Sequence, residues 1–248
     1  MHPYRKYYSS RFKNIRKYLD RFQYTQDAED LHQFRVEFKK LRTFYSIFRY
    51  CIPSFNASKD FKKLKKLYTA SGILRDEDVI QGLFTQYKIN LNEQNPEIKE
   101  KKRRKRIKKF YKKTTGHLKS LISLEKKLKE NTDDIDIQCI KAYTDHKLRN
   151  ILQKMAHPDT EAVLHEIRKE IKHLKYLSEF EQRCVPAKTV RQFDLIQNRI
   201  GSWHDKLVLI AYLEKHNPSN RRPNNNLIED SDRDMKAIKT RLLALTIG

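Results

Sequence analysis

Apolar positions recur along this chain almost everywhere at intervals of three and four residues, and convincing two-residue alternation is absent throughout, so the pattern predicts an all-α protein. Residues 4–22 interleave cations with Tyr, Phe, Ile and Leu at helical spacing and form a first predicted helix. A second runs from about Asp27 to about Tyr50 and stops before Pro53. A third covers about 57–71 and ends near Gly72, and a fourth follows Asp76 to about Lys88. The stretch NLNEQNP reads as a loop, and Pro96 opens a long helix containing EIKEKKRRKRIKKFYKK. Further helices are predicted over about 117–129 and 134–156, separated by NTDD. AHPDTEAV restarts a helix to about Gln182, Pro186 begins another to Ile200, and one more covers about 203–216. The linker NPSNRRPNNN then precedes a terminal helix from Leu227 to about Leu245.

Two of these segments resemble each other. LHQFRVEFKKLR at 31–42 and LHEIRKEIKHLK at 164–175 align at an offset of 165 − 32 = 133, which matches Leu31/Leu164, His32/His165, Arg35/Arg168, Glu37/Glu170, Lys39/Lys172 and Leu41/Leu174. Downstream, SGILRDEDVI at 71–80 aligns with IGSWHDKLVL at 200–209 at an offset of 205 − 76 = 129. That pairs Gly72/Gly201, Arg75/His204, Asp76/Asp205 and Val79/Val208. The period is too long for a solenoid repeat. It implies two homologous helical halves, about 4–130 and 134–246, facing each other about a pseudo-two-fold axis.

At about 100° per residue, Leu31, Phe34, Phe38, Leu41, Tyr45 and Phe48 share one apolar face, and His32, Arg35, Lys39 and Arg42 form a stripe beside it. The second copy repeats the arrangement with Leu164, Ile167, Ile171 and Leu174 apolar and His165, Arg168, Lys172 and Lys175 in line. A solvated helix face normally mixes Glu with Lys at i, i+4. Neither stripe carries an acid, since Glu37 and Glu170 fall on other faces. Like charges in line are unfavourable without a partner, so the recurrence calls for an anion. Lys62, aligned with Arg191, and Arg75, aligned with His204, would add donors from the next helix and turn. Gly72 and Gly201 fit helix C-caps; Asp76 and Asp205 would cap the following helices or orient a stripe cation.

Charge widens the argument. The 248 residues include 54 Lys plus Arg against 31 Asp plus Glu, a formal net charge of +23, with only 5 Gly and 7 Pro. A compact state of that charge repels itself unless an anionic partner screens it, so nucleic acid, an acidic membrane surface and a non-nucleic polyphosphate are the partner classes to weigh. The run KKRRKR at 101–106 suits a nucleic-acid patch or a solvated helix equally. Cys51, Cys139 and Cys184 are odd in number and lack a CxxC pair, which points to buried thiols in a reducing compartment instead of a disulfide scaffold or zinc site. The basic N-terminus has no apolar core of a signal peptide and no segment is apolar enough to span a bilayer, so a cytosolic protein is expected.

Chemistry finds little support. His204-Asp205 could suggest a metal-dependent phosphohydrolase, but its repeat partner is Arg75-Asp76, and arginine cannot replace a metal-binding imidazole. No HxxxH, Walker loop or GxGxxG occurs, and no nucleophile stands in a recognisable base constellation. Binding without catalysis, metal or cofactor is the expectation.

The paired motifs LHQFRVEFKKLR … GILRDEDV and LHEIRKEIKHLKY … IGSWHD closely resemble the CHAD family, the conserved histidine α-helical domain, over essentially the whole chain. The resemblance implies two four-helix bundles around a central basic cavity that binds inorganic polyphosphate, often on polyphosphate granules. Carried over, His32, Arg35, Lys39, Arg42, His165, Arg168, Lys172 and Lys175 would line that cavity. This sequence has Lys39-Lys40 where the family commonly has two arginines, and Lys175 where arginine is common; lysine lacks the bidentate fork. Some members carry a fused triphosphate-processing domain, whose ExExK signature is absent here. A basic nucleic-acid-binding helical module is the alternative; against it, the aromatics fall mainly on core faces, whereas single-strand binders expose stacking platforms.

Overall fold

The structure, a computed structural model, describes residues 3–89, 96–131, 135–216 and 225–247. Among these, eight α-helices and a 3-10 turn account for the regular structure, with no strand: α1 Pro3–Thr25, α2 Ala28–Cys51, α3 Ser58–Gln86, α4 Pro96–Asn131, α5 Ile137–Ala156, α6 Glu161–Ser178, the turn Gln182–Cys184, α7 Ala187–His216 and α8 Asn225–Ile247. The all-α expectation holds. The NLNEQN, TDD and NPSNRRPN parts of the three predicted loops lie outside the described residues.

The chain divides into two compact units. One comprises Met1–Val79 with Ile89–Cys139, the other Ile80–Lys88 with Ile140–Gly248, so α3 begins in the first and ends in the second. In the first unit α1 buries Tyr4, Tyr8, Phe12, Ile15, Leu19 and Phe22 at helical spacing and packs on α2 and α4. Asp27 caps α2, its carboxylate accepting from the Glu29 N–H at 2.9 Å. Between the two helices Gln26 reverses the chain at φ 53°, a left-handed position that the sequence fills without glycine. In the second unit α7 packs on both α6 and α8. Thr160 caps α6 through the Val163 N–H at 3.2 Å, and Lys206 of α7 reaches Asp234 of α8 at 2.8 Å.

Three predicted breaks are absent. The helices expected at 57–71 and 76–88 form one continuous α3, those up to Lys113 and over 117–129 form one α4, and those at 186–200 and 203–216 form one α7. Gly72 and Gly201 are therefore interior residues, not C-caps, and among the described residues no glycine has positive φ. For the same reason Asp76 and Asp205 cap nothing. Interior glycine costs a helix about 1 kcal/mol relative to alanine, so another demand must hold it at these positions.

The cysteine reading also changes. Cys51, at the end of α2, forms a disulfide with Cys139 in the first turn of α5, with Cα atoms 5.7 Å apart across 88 residues of sequence; Cys184 is free and buried. Pairing follows tertiary approach, which residue spacing does not show. The cysteines therefore no longer argue for a reducing compartment. No described helix is long and apolar enough to cross a membrane.

Candidate functional site

The stripe of α2 lies where the apolar face meets solvent. His32, Arg35, Lys39 and Arg42 are all half-buried, while Leu31, Phe34, Phe38 and Leu41 are fully buried. The two acids excluded from the stripes are neutralised elsewhere: buried Glu37 pairs with Arg11 of α1 at 3.2 Å, and Glu170 with Lys154 of α5 at 2.7 Å. Each thus faces the helix preceding its own.

Arg35 is held from three sides by α3. Its guanidinium lies 4.3 Å over the Tyr68 ring. Nη1 donates to the Tyr68 carbonyl at 2.9 Å and to the Ser71 hydroxyl at 2.8 Å, and Nη2 to the Tyr68 hydroxyl at 3.3 Å. Of the five guanidinium protons, one on Nη2 and the one on Nε remain for an external acceptor. Tyr68 is itself fixed by a run of ring contacts: it stacks on Phe38 at 4.9 Å, Phe38 on Phe61 at 6.0 Å and Phe61 on Tyr45 at 4.1 Å. Arg42 lies 5.9 Å from the same Tyr68 ring. The aromatic core therefore forms the floor on which two stripe arginines rest.

The second unit repeats the central part of this geometry. Arg168 Nε donates to the carbonyl of Gln197 at 3.3 Å, and Gln197 stands at the offset already found, 197 − 68 = 129. The aligned glycines explain themselves here. A Cβ at Gly201 would come within 2.7 Å of Arg168 Nη2, and one at Gly72 would sit 3.5 Å from Arg35 Nη1. At 201 the glycine leaves room for a guanidinium to lie against the helix backbone, whereas at 72 the space beside the guanidinium would accept a methyl group. Gly201→Ala should accordingly gain helix propensity, about 1 kcal/mol, while displacing Arg168. The expected result is an unchanged or raised melting temperature with anion affinity at least fivefold weaker; Gly72→Ala, with ordinary contact distance, should leave affinity within twofold.

The halves differ in how their charge is held. Where the first has Arg75, the second has His204, whose ring lies 5.3 Å from that of His165 and whose Nδ1 is 3.6 Å from Glu161. Burial lowers the His165 pKa, and the charges of Lys169, His204 and Arg168 lower it further. Burial also brings Lys172 down to about 8, reinforced by Arg168 and Lys175 and opposed by Asp205 and Asp194. Asp205 thus lies within electrostatic reach of a stripe cation. Lys175 is bound to Asp194 of α7 at 2.7 Å, a partner invisible to a wheel drawn on α6 alone. Lys62 and Arg191 are exposed, and no contact among the described residues ties either to its stripe. Tyr68, Ser71, Gln197 and Asp194 went unrecognised in the sequence; the 129-residue offset, extended back by one turn, would have paired Tyr68 with Gln197.

No three His, Cys, Asp or Glu side chains converge as metal ligands among the described residues. Each unit by itself holds one preset guanidinium group, Arg35 in the first and Arg168 in the second, on a helix that also carries stripe lysines and a histidine, an arrangement suited to phosphate oxygens.

The family model of the CHAD domain matches residues 7–214. The chain belongs to the CHAD domain family. A search of solved structures matched the crystal structure of the CHAD domain from the plant Ricinus communis, with a TM-score of 0.74 and 19% identity over 95% of this chain and 88% of that one. At that identity the likeness is one of fold. Among curated proteins no relative matches.

Proposed function

We propose that this CHAD domain binds inorganic polyphosphate without catalysing its breakdown, through the two basic stripes and their neighbours: His32, Arg35, Lys39, Arg42, Lys62 and Arg75 in one half, and His165, Arg168, Lys172, Lys175, Arg191 and His204 in the other. One observation carries the reading. Arg35 and Arg168 are each set against a neighbouring helix by a backbone carbonyl and a glycine at the same alignment offsets, with guanidinium protons left over. Equivalent preset donors in both halves are what an internal duplication devoted to one anion would retain. Membership of the family supports the same ligand, and association with polyphosphate granules would follow from it.

Energetically the ligand brings acceptor oxygens to charges that the fold has partly desolvated, and releases its own condensed counter-ions. Arginine supplies directional bonds at fixed places, and lysine supplies point charges around them. The deciding experiment is competition at near-physiological salt between long-chain polyphosphate and DNA or RNA of matched charge, with chain lengths followed on a gel. Polyphosphate should displace either nucleic acid and emerge at its starting length. Preference for nucleic acid would sink the reading, and metal-dependent shortening of the polymer would make the protein an enzyme.

A further inference from the structure

The basic run of α4 has no place in the site just described, and its side chains sort by type. The half-buried Arg103 pairs with Asp78 of α3 at 2.8 Å and the exposed Arg106 with Glu77, while Ile107 and Phe110 are buried. Lys101, Lys102, Lys105, Lys108, Lys109 and Lys112 are exposed, and among the described residues none of the six makes an ion pair or hydrogen bond. Lys101, Lys105, Lys108 and Lys112 are spaced i, i+4, i+7 and i+11, so they form a straight row about 16 Å long, opposite the buried face. From Lys101 to Leu124 the helix contains no acid. Like charges at i, i+4 destabilise a helix by about 0.2–0.5 kcal/mol per pair, a cost that Glu100 relieves only for Arg104.

We propose that this outer face of α4 is a second polyanion-binding surface, taking the part of a long polyphosphate chain that extends beyond the Arg35 stripe. The inference rests on the proposed function. Three features favour this occupant. Lysines on flexible stems suit an irregular chain of charges better than a planar, bidentate target. The face offers no aromatic platform for unpaired bases: Phe110 is buried, and Tyr111 stacks on Phe22 and donates its hydroxyl to the Leu19 carbonyl. It also lacks an exposed apolar side chain between Lys101 and Lys112 to enter a bilayer. Continuity with the first site comes through α3, where Asp78 lies within electrostatic reach of both Arg75 and Arg103.

The test compares short chains, about as long as one stripe, with chains of hundreds of phosphates, on wild type and on the variant Lys101→Gln/Lys105→Gln/Lys108→Gln/Lys112→Gln. A control of equal charge carries Lys141→Gln/Lys188→Gln/Lys215→Gln/Lys236→Gln, all exposed. The α4 variant should keep its helicity and bind short chains within twofold of wild type. Long chains should bind at least tenfold more weakly, with the slope of log K against log salt reduced by about 3, as expected for four lost phosphate contacts at 0.7–0.9 each. The control should match wild type. Unchanged long-chain affinity overturns the proposal, as does an equal loss at both lengths or an equal loss in the control. A larger loss for duplex DNA or phosphatidylserine vesicles than for polyphosphate would reassign the surface. Wild type that binds neither length would defeat the proposed function as well, whereas wild type that binds both beside an unchanged α4 variant defeats this inference alone.

Discussion

Replacing Arg35 and Arg168 together by glutamine is expected to weaken polyphosphate binding by about two to four orders of magnitude while leaving the fold intact. Each guanidinium would contribute charge-assisted bonds worth about 1.5–3 kcal/mol, so the pair accounts for about 3–6 kcal/mol, at 1.4 kcal/mol per factor of ten. Stability should change little, because the carbonyl that Arg35 leaves is still met by the Ser71 hydroxyl at 2.6 Å and belongs to a helix in any case. The single variants should not be equal. The second half has a histidine in place of Arg75 and a lysine already occupied by Asp194, so Arg35→Gln should cost more than Arg168→Gln. Arg35→Lys should fall between wild type and Arg35→Gln, since it keeps the charge and loses the fork. Binding measured by competition at fixed salt, with melting temperatures alongside, checks the set. Equal losses from the double variant and from a distant two-lysine variant would show that net charge alone is at work.

How the residues revealed or hid this arrangement follows from the range over which each signal acts. Helix type and most starts are local matters: Asp27, Pro96, Thr160 and Pro186 mark the entries to α2, α4, α6 and α7 through capping and backbone geometry that a reading of neighbours captures. The stripes were legible too, because the edge of an apolar face is a property of one helix. Gly72 and Gly201 misled for the opposite reason. An interior glycine looks like a terminus until the arginine packed on it from another helix is known. Asp194 on Lys175 and Cys51 with Cys139 are likewise pairings between segments, which no periodicity encodes. The glycine that seemed to end a helix is instead part of the arginine's seat.

The inequality of the halves gives a further large effect, centred on Lys172. Its folded pKa is about 8 against an ordinary lysine value of 10.5, chiefly from burial. Below pH 8 the group is charged in both folded and unfolded states, and the cost of holding that charge in the fold is fully present. Between about pH 8 and 10.5 the folded protein releases the proton that the unfolded chain keeps, so stability rises with pH; above that window the residue contributes nothing. Lys172→Met should therefore raise stability at pH 7. The full shift corresponds to about 3 kcal/mol, and partial solvation lowers the expected gain to about 2 kcal/mol. The same substitution should weaken polyphosphate binding at least tenfold, the pattern of a group kept for function at the expense of stability. Proton linkage makes the assignment specific. A bound polyanion favours charged Lys172 and charged His165, so wild-type affinity should fall as pH rises above about 8, and should rise as pH falls through and below the usual imidazole range. Lys172→Met should remove the upper limb and His165→Gln should flatten the lower one, while titration of the ligand's own end groups is common to all and cancels. If Lys172→Met leaves stability and the alkaline limb as they are in wild type, the charge is not desolvated and the second stripe is as permanent as the first.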